Sequence, residues 1–319
     1  MSREIIARAP TRIDLGGGWT DVPPYCDREG GFVCNVAISR YAVAKLSETK
    51  ASDKDTAAVK AADLPLVRAA LKRSGVTGIR VAIENDFPVG AGLGGSSAAS
   101  AALLSALAEW RGVGWKRAEV AEEGRRIEVE DLGVAGGRQD HYAATFGGAL
   151  GLTFTSNVSV RRIPLSETTQ SELVARSVLI YTGQSRVSGD TISAVLGAYE
   201  QGDARVVGAL RRMREIAEAM AAALERGNLD DVGALLNEHW LHQRSLHPSI
   251  PTARIDEIIT QAHRAGALGA KAMGASGGGC VLIIAPSDDI EPVRTAVGRL
   301  GELLPFGVDT AGLTVKSSR

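Results

Sequence analysis

The chain has 319 residues, 45% of them apolar, with 36 Lys and Arg set against 37 Asp and Glu. A net charge of −1 supplies no basic field to hold nucleic acid or an anionic membrane. No apolar run approaches the length needed to span a bilayer, and the chain is long enough for two domains with separate cores.

The opening MSREIIARAP has no apolar stretch and no small-residue cleavage site, so a cytoplasmic location is expected. Three cysteines without metal-type spacing fit a reduced compartment. Five scattered histidines form no zinc motif.

Residues 4–9 read as a short strand ending at Pro10. The stretch TRIDLGGGWTDVPPYCDREGG follows, a loop with three successive glycines and the polar residues Arg12, Asp14, Thr20, Asp21 and Tyr25. Glycine hairpins recruit Asp and Thr for turns alone, but glycines beside Arg, Trp and Asp suit a loop that closes over a ligand. Residues 32–46 read as strand, 51–63 as a polar surface connection, and 64–73 as a helix stopped by Gly75. A β-prone run at 79–83 leads into DFPVGAGLGGSSAASAALLSALAEW. There Leu103, Leu104, Leu107 and Trp110 share one helical face.

A second helix is expected over 116–132, its mixed charges around Gly124 marking a solvated face. GVAGGRQD at 133–140 breaks it, and 142–154 reads as a strand after a tight turn. The polar stretch 164–171 suggests a boundary between domains 1–170 and 171–319. Residues 176–182 form a strand, followed by Gly183-Gln184-Ser185-Arg186 as an anion-contacting turn. Val207, Leu210, Met213, Ala217, Met220 and Leu224 step at helical spacing to Gly227, and Asn228 caps a further helix. Another helix stops at Gly266. The third glycine-rich loop, MGASGGGC, runs into a buried strand at 280–285, with a helix at 292–300 and a last strand at 307–315. An α+β arrangement with an antiparallel sheet follows for this half.

A strand, a glycine loop and a helix start gather free backbone N–H groups at the positive end of a helix dipole, which suits a phosphate. Gly90, Gly92 and Gly95 fit the G-x-G-x-x-G pattern, but a second helix follows where a dinucleotide fold needs a parallel strand. The loop ends in Gly95-Ser96-Ser97 without the lysine of a Walker loop. A nucleoside triphosphate held by backbone amides remains. Phosphoryl transfer then needs metal ligands, a positive group and a carboxylate facing the acceptor hydroxyl. Ser96 or Ser97 with Glu128, then Arg12, then Asp140 are the candidates; Glu130 competes with Glu128.

APTRIDLGGGWTD, PVGAGLGGSSA and GASGGGC, in that order, resemble the three motifs of the GHMP kinase superfamily and span essentially the whole chain. GGGWTDVPPYCDREGGFVCNVAI, IEVEDLGVAGGRQDHYAATFGG, YTGQSR and GALGAKAMGASGGGC resemble its D-glycero-D-manno-heptose 7-phosphate kinase and fucokinase branch. The resemblance implies a ribosomal protein S5 domain 2-like N-terminal domain and a ferredoxin-like C-terminal domain. It also implies ATP and Mg²⁺ as cofactors and a sugar or sugar phosphate as substrate, in a monomer or homodimer. By motif position Ser96 and Glu128 resemble the metal ligands, and Asp140 the catalytic carboxylate assisted by Arg12. Pro88, Gly90, Gly92, Leu93, Gly94, Gly95, Ser96 and Ser97 would hold the nucleotide. Gly17, Gly18, Thr20, Asp21, Gly137, Arg138, Arg186, Gly277 and Gly278 would face the substrate, with Arg138 and Arg186 as cations for a 7-phosphate. Two residues depart from the family pattern: Gly95 stands where Ser or Thr is usual, and Ser276 where Gly is common. The activity implied is phosphorylation of an anomeric hydroxyl, on heptose 7-phosphate or on an L-fucose-type sugar. A sensor that binds nucleotide without turnover is the reading from another class, and the presence of Asp140, Glu128 and Arg12 speaks against it.

Overall fold

The first strand does not stop at Pro10 but runs on to Gly16, as β1 (Glu4–Gly16). The computed structural model describes residues 3–49, 64–184, 189–287 and 289–318; the expected connection at 51–63 and the turn residue Arg186 lie outside them. After β1 come α1 (Tyr25–Glu29), β2 (Gly31–Glu48), α2 (Pro65–Ser74), β3 (Ile79–Asn85), α3 (Gly95–Arg111) and α4 (Arg117–Arg126). A π-helical turn (Ile127–Asp131), α5 (Gln139–Phe146), β4 (Ala149–Phe154), β5 (Val158–Ile163), α6 (Glu167–Ala175), β6 (Ser177–Tyr181) and α7 (Gly189–Glu200) follow. The chain then forms α8 (Ala204–Glu225), α9 (Leu229–Ser245), α10 (Ala253–Arg264), β7 (Gly269–Ala272), β8 (Cys280–Ile284), α11 (Glu291–Val297), β9 (Glu302–Leu303) and β10 (Thr314–Ser318).

Two antiparallel sheets organise these elements. The first runs β10-β1-β2-β4-β5, with β3 also paired to β2, and the second runs β7-β8-β6-β9. Pro10 survives inside β1 because the register slips there. Pro10 pairs with Tyr41 while Thr11 pairs with Ile38, so Ser39 and Arg40 of β2 have no partner in β1. A bulge is one of the few sheet positions that tolerates a residue without an N–H. The faces of β1 change across it. Ile5, Ala7 and Ala9 face α3, whereas Ile13 and Leu15 face the core between the sheets. Arg12 and Asp14 are thereby turned to the side that carries α5.

In the second sheet the alternation is regular. Leu179, Cys280, Leu282 and Ile284 point into the shared core with Ile216 and Met220 of α8, while Val178, Ile180, Val281 and Ile283 pack with Ile255 and Ile258 of α10. Strands β6 and β8 are apolar on both faces because each face is covered.

Several expectations need correction. Residues 142–154 are not one strand: α5 ends at Gly147 before β4 begins. The polar stretch 164–171 contains the start of α6, so a division at residue 170 falls within a helix. The strand at 307–315 is limited to an isolated bridge at Val308 and to β10, which pairs with β1 in the first sheet. Strand β5 was not anticipated, its exposed Ser159, Arg161 and Arg162 having hidden it.

Helix α9 sits unusually close to β7. A Cβ added at Gly269 would lie 1.8 Å from the carbonyl oxygen of Gly233. Asn237 locks the contact, its Nδ2 donating to Leu268 O at 2.8 Å and its Oδ1 accepting from Ala270 N at 3.0 Å. Replacing Gly269 by Ala is expected to cost about 3 kcal/mol by forcing helix and strand apart, seen as a lower urea midpoint with an unchanged m-value.

Candidate active site

A cleft of about 710 Å³ opens where the three glycine-rich stretches meet. Its base is backbone against backbone. Cys280 N donates to Ala91 O at 2.8 Å, and a Cβ at Gly92 would stand 2.8 Å from Met273 O. Bulk at either loop would separate the two halves of the site. Gly94 precedes α3 at φ 74 and no side chain caps the helix, so the first N–H groups of this 17-residue helix face the cleft unpaired. All residues expected to hold a nucleotide, from Pro88 and Gly90 through Gly92, Leu93, Gly94 and Gly95 to Ser96 and Ser97, line this cleft. The departure at Gly95 has a local cause: a Cβ there would meet Phe87 Cε2 at 2.3 Å.

Arg12 joins three elements. Its backbone N donates to Leu93 O at 3.0 Å and its Nη1 to Gly92 O at 2.6 Å. Its Nε and Nη2 both meet Asp140 Oδ1, at 2.8 and 2.7 Å. Asp140 lies in the first turn of α5, and its other oxygen, Oδ2, would be 3.1 Å from a Cβ at Gly94. Burial raises the Asp140 pKa above the ordinary carboxylate value; Arg12 opposes this and Glu128 adds to it. The result is a more basic carboxylate beside a phosphate-type loop.

The π-helical turn extends α4 by a wider ring, with Leu132 N donating to Ile127 O at 3.0 Å. Glu128 and Glu130 leave it in opposite directions. Glu128 lines the cleft and meets His141 Nε2 at 2.9 Å, a nitrogen that Ser97 Oγ also approaches at 3.4 Å. Glu130 turns outward to Arg73, 2.7 Å away. Ser96 is exposed at the cleft while Ser97 is buried. Among the described residues no group of three or more His, Cys, Asp or Glu forms a metal cage. One carboxylate and a hydroxyl next to a phosphate loop fit Mg²⁺, which keeps most of its coordination for water and phosphate.

Of the residues expected at the substrate, Gly18, Asp21, Gly137 and Gly278 line the cleft. Asp21 Oδ2 accepts from Gln139 N at 2.9 Å, and a Cβ at Gly137 would collide with it at 1.8 Å. Burial, with Asp140 and Asp14 nearby, pushes the Asp21 pKa up to about 6, although the Gln139 N–H pulls it down.

Among the described residues, Gly17, Thr20, Arg138 and Gly277 were also expected at the substrate and are not among those lining the cleft. Thr20 Oγ1 donates to Gly17 O at 2.7 Å and accepts from Phe32 N, closing the loop internally. Gly17 N donates to His239 Nε2 at 2.9 Å, and Gly277 N to Ile250 O at 2.8 Å. Arg138 turns to Glu122, 3.7 Å away.

Behind these residues lies a layer that no local sequence motif marks. Lys271 of β7, fully buried, donates to Asp14 O at 2.6 Å and Asp14 Oδ2 at 2.9 Å. Gln243 Nε2 holds the third loop through Gly274 O and Ser276 Oγ, each at 2.9 Å. Ser276 and Trp19 are the two non-glycine residues with positive φ among the described residues, and both line the cleft. A lysine between alanines in GAKAMG was the one visible sign of a buried charge.

Residues 56–148 match the family model for the GHMP kinases N terminal domain, and residues 220–303 that for the GHMP kinases C terminal. The chain is 30% identical over 302 residues to D-glycero-alpha-D-manno-heptose 7-phosphate kinase of Campylobacter jejuni, covering 87% of this chain and 88% of the relative. The chain belongs to the GHMP kinases. This GHMP kinase is also 27% identical to the bifunctional fucokinase/GDP-fucose pyrophosphorylase of Arabidopsis thaliana, over 94% of its own length and 31% of that protein. Its fold superposes on a D-glycero-D-manno-heptose 1-phosphate kinase from Bacteroides thetaiotaomicron with a TM-score of 0.74, at 24% identity and 99% coverage of both chains. No helix among the described residues is long and apolar enough to cross a membrane.

The elevated Asp21 pKa has a consequence for stability. A carboxyl whose folded pKa exceeds its unfolded value of 3.8 stabilises the fold below that value, and the contribution is lost as pH rises through about 6. Asp21→Asn is therefore expected to be more stable than wild type at pH 7.5, by on the order of 2 kcal/mol. The gain should vanish near pH 4. Urea unfolding at the two pH values measures both.

Proposed function

We propose that this GHMP kinase transfers the γ-phosphoryl group of ATP to the anomeric hydroxyl of D-glycero-D-manno-heptose 7-phosphate. The observation that carries the reading is Asp140, held by Arg12 at the junction of the phosphate-type loop and the Gly18–Asp21–Gly137 wall. The similarity to the Campylobacter heptose 7-phosphate kinase supports the choice of sugar. ATP bound with Mg²⁺ supplies the electrophilic phosphoryl group. The N–H groups at the start of α3 hold phosphate oxygens, and Glu128 with Ser96 provides the hard oxygen ligands. Arg12 fixes Asp140 through Oδ1, which leaves Oδ2 to align the acceptor hydroxyl and take its proton. Asp21, Gly18 and Gly137 bound the acceptor side.

A second reading, an L-fucose-type 1-kinase, is favoured by one observation. Arg12 is the only cationic side chain among the described residues lining the cleft, and it is committed to Asp140. A 7-phosphate would need a further cation, and Arg186 is the candidate for it.

A coupled ADP-release assay over a panel of sugars and sugar phosphates tests both readings. Turnover of heptose 7-phosphate and not of fucose is expected; the reverse result overturns the choice of substrate, and no turnover with any acceptor overturns the enzyme. Asp140→Asn should bind ATP normally and lose at least about 10³-fold in kcat, within the range that removing a general base produces. Arg186→Ala should raise KM for a sugar phosphate about 10-fold or more while leaving KM for an unphosphorylated sugar unchanged, as expected for one charge-assisted contact.

A further inference from the structure

We propose that Asp14 is a substrate-recognising residue. In this assignment Oδ1 accepts a hydrogen bond from an acceptor hydroxyl other than the one phosphorylated, while Lys271 anchors Oδ2. The proposal rests on the kinase reading above and adds a specificity determinant to it.

Asp14 combines an ion pair with two features that a purely structural pair would not need, its place at the cleft and an unpartnered oxygen. It lines the cleft although its residue is 1% exposed. Its Oδ2 and its own carbonyl are both taken by Lys271 Nζ, at 2.9 and 2.6 Å. Its Oδ1 is buried and has no hydrogen-bond partner among the described residues. Buried acceptors without a donor are rare and costly, and a donor brought by the ligand would remove the cost when the site fills.

The surroundings define the chemistry of that donor. Burial raises the carboxyl of Asp14, but Lys271, His239 and Arg12 together outweigh it and leave the pKa below the ordinary value. An ionised carboxylate accepts and cannot donate, so this wall takes a hydroxyl and rejects a phosphate or carboxylate. Gly18 leaves room beside the carboxylate: a Cβ there would stand 2.4 Å from Asp14 Oδ2 and 3.1 Å from Gln139 Nε2. Gln139 Oε1 and Trp19 Nε1 are likewise buried without partners, on residues that line the same cleft. Two acceptors and one donor complement neighbouring hydroxyls, each of which both gives and takes a hydrogen bond. Asp140 and Asp21 are close enough to feel the charge of Asp14, so this wall adjoins the reacting position.

The test uses the full chain and whichever sugar the wild type turns over fastest. Asp14→Asn is expected to raise KM for the sugar about 10- to 100-fold, the effect of losing a hydrogen bond to a charged group. KM for ATP should change by less than about 2-fold. Among monodeoxy analogues of the sugar, one should cost the wild type a similar factor and cost the variant little more, because both changes delete the same contact. A parallel rise in both KM values, an unchanged sugar KM, or losses that multiply for every analogue would overturn the assignment.

Asp14→Asn leaves Lys271 uncompensated and can fail to fold, so the charge-neutral Asp14→Asn/Lys271→Gln pair is measured beside it. A crystal structure of the wild type with the sugar and a non-hydrolysable ATP analogue needs no variant at all. A sugar hydroxyl within hydrogen-bond distance of Oδ1 is expected, and a protein donor or isolated water there refutes the proposal. Wild type that turns over no hydroxylated acceptor removes the kinase reading and this proposal together. An active wild type with an indifferent Asp14→Asn variant removes only the role of Asp14.

Discussion

Everything in the cleft depends on how Arg12 is presented. Its guanidinium spans a loop carbonyl and the Asp140 carboxylate, and its own backbone bonds to the loop as well. Breaking a buried ion pair from one side costs about 3–5 kcal/mol, so this contact fixes loop, strand and helix as one unit. The bulge opposite Pro10 makes the contact geometrically accessible. Beyond the slip between Pro10 and Thr11, Arg12 lies at the cleft and Ile13 in the apolar core between the sheets.

Glycine serves two separate purposes around that unit. At Gly92 and Gly279 the missing side chain lets two loops touch through their backbones, as a Cβ at either would stand 2.8 Å from a carbonyl oxygen. At Gly18 and Gly137 it leaves room for the carboxylates of Asp14 and Asp21. The first use closes the cleft between the two sheets; the second keeps its acidic wall within reach of an acceptor. Asp21 shows the cost of that wall, since its carboxylate is held ionised where burial disfavours charge.

The parts of the site legible in the sequence were those encoded locally. The glycine loop, the start of α3 and the Glu128 and Asp140 positions follow from spacing and motif, and the structure brings them around one cleft. The helix ends at Gly75 and Gly227 and the cap at Asn228 follow from rules that act within a few residues. Non-local features escaped. Pro10 reads as a strand end because its partner bulge lies in β2, and α5 is too short for its period to compete with five flanking glycines. Lys271 could not be assigned a partner because Asp14 lies 257 residues earlier. Arg138 carried the right charge in the right motif, yet its side chain turns to Glu122; no pattern in the sequence encodes that direction.

The pairing of Glu4 with Ser318 ties the outer edge of β1 to a strand from the far end of the described chain. Loop closure over such a distance comes late in folding, since its entropy must be met before the contact returns anything. During synthesis, therefore, the edge of β1 at Glu4–Arg8 stays open until β10 has been made. An unpaired edge of this kind invites intermolecular pairing. Arg8 and Glu4, on the stretch of β1 that β10 later covers, put charge on that edge in the interval.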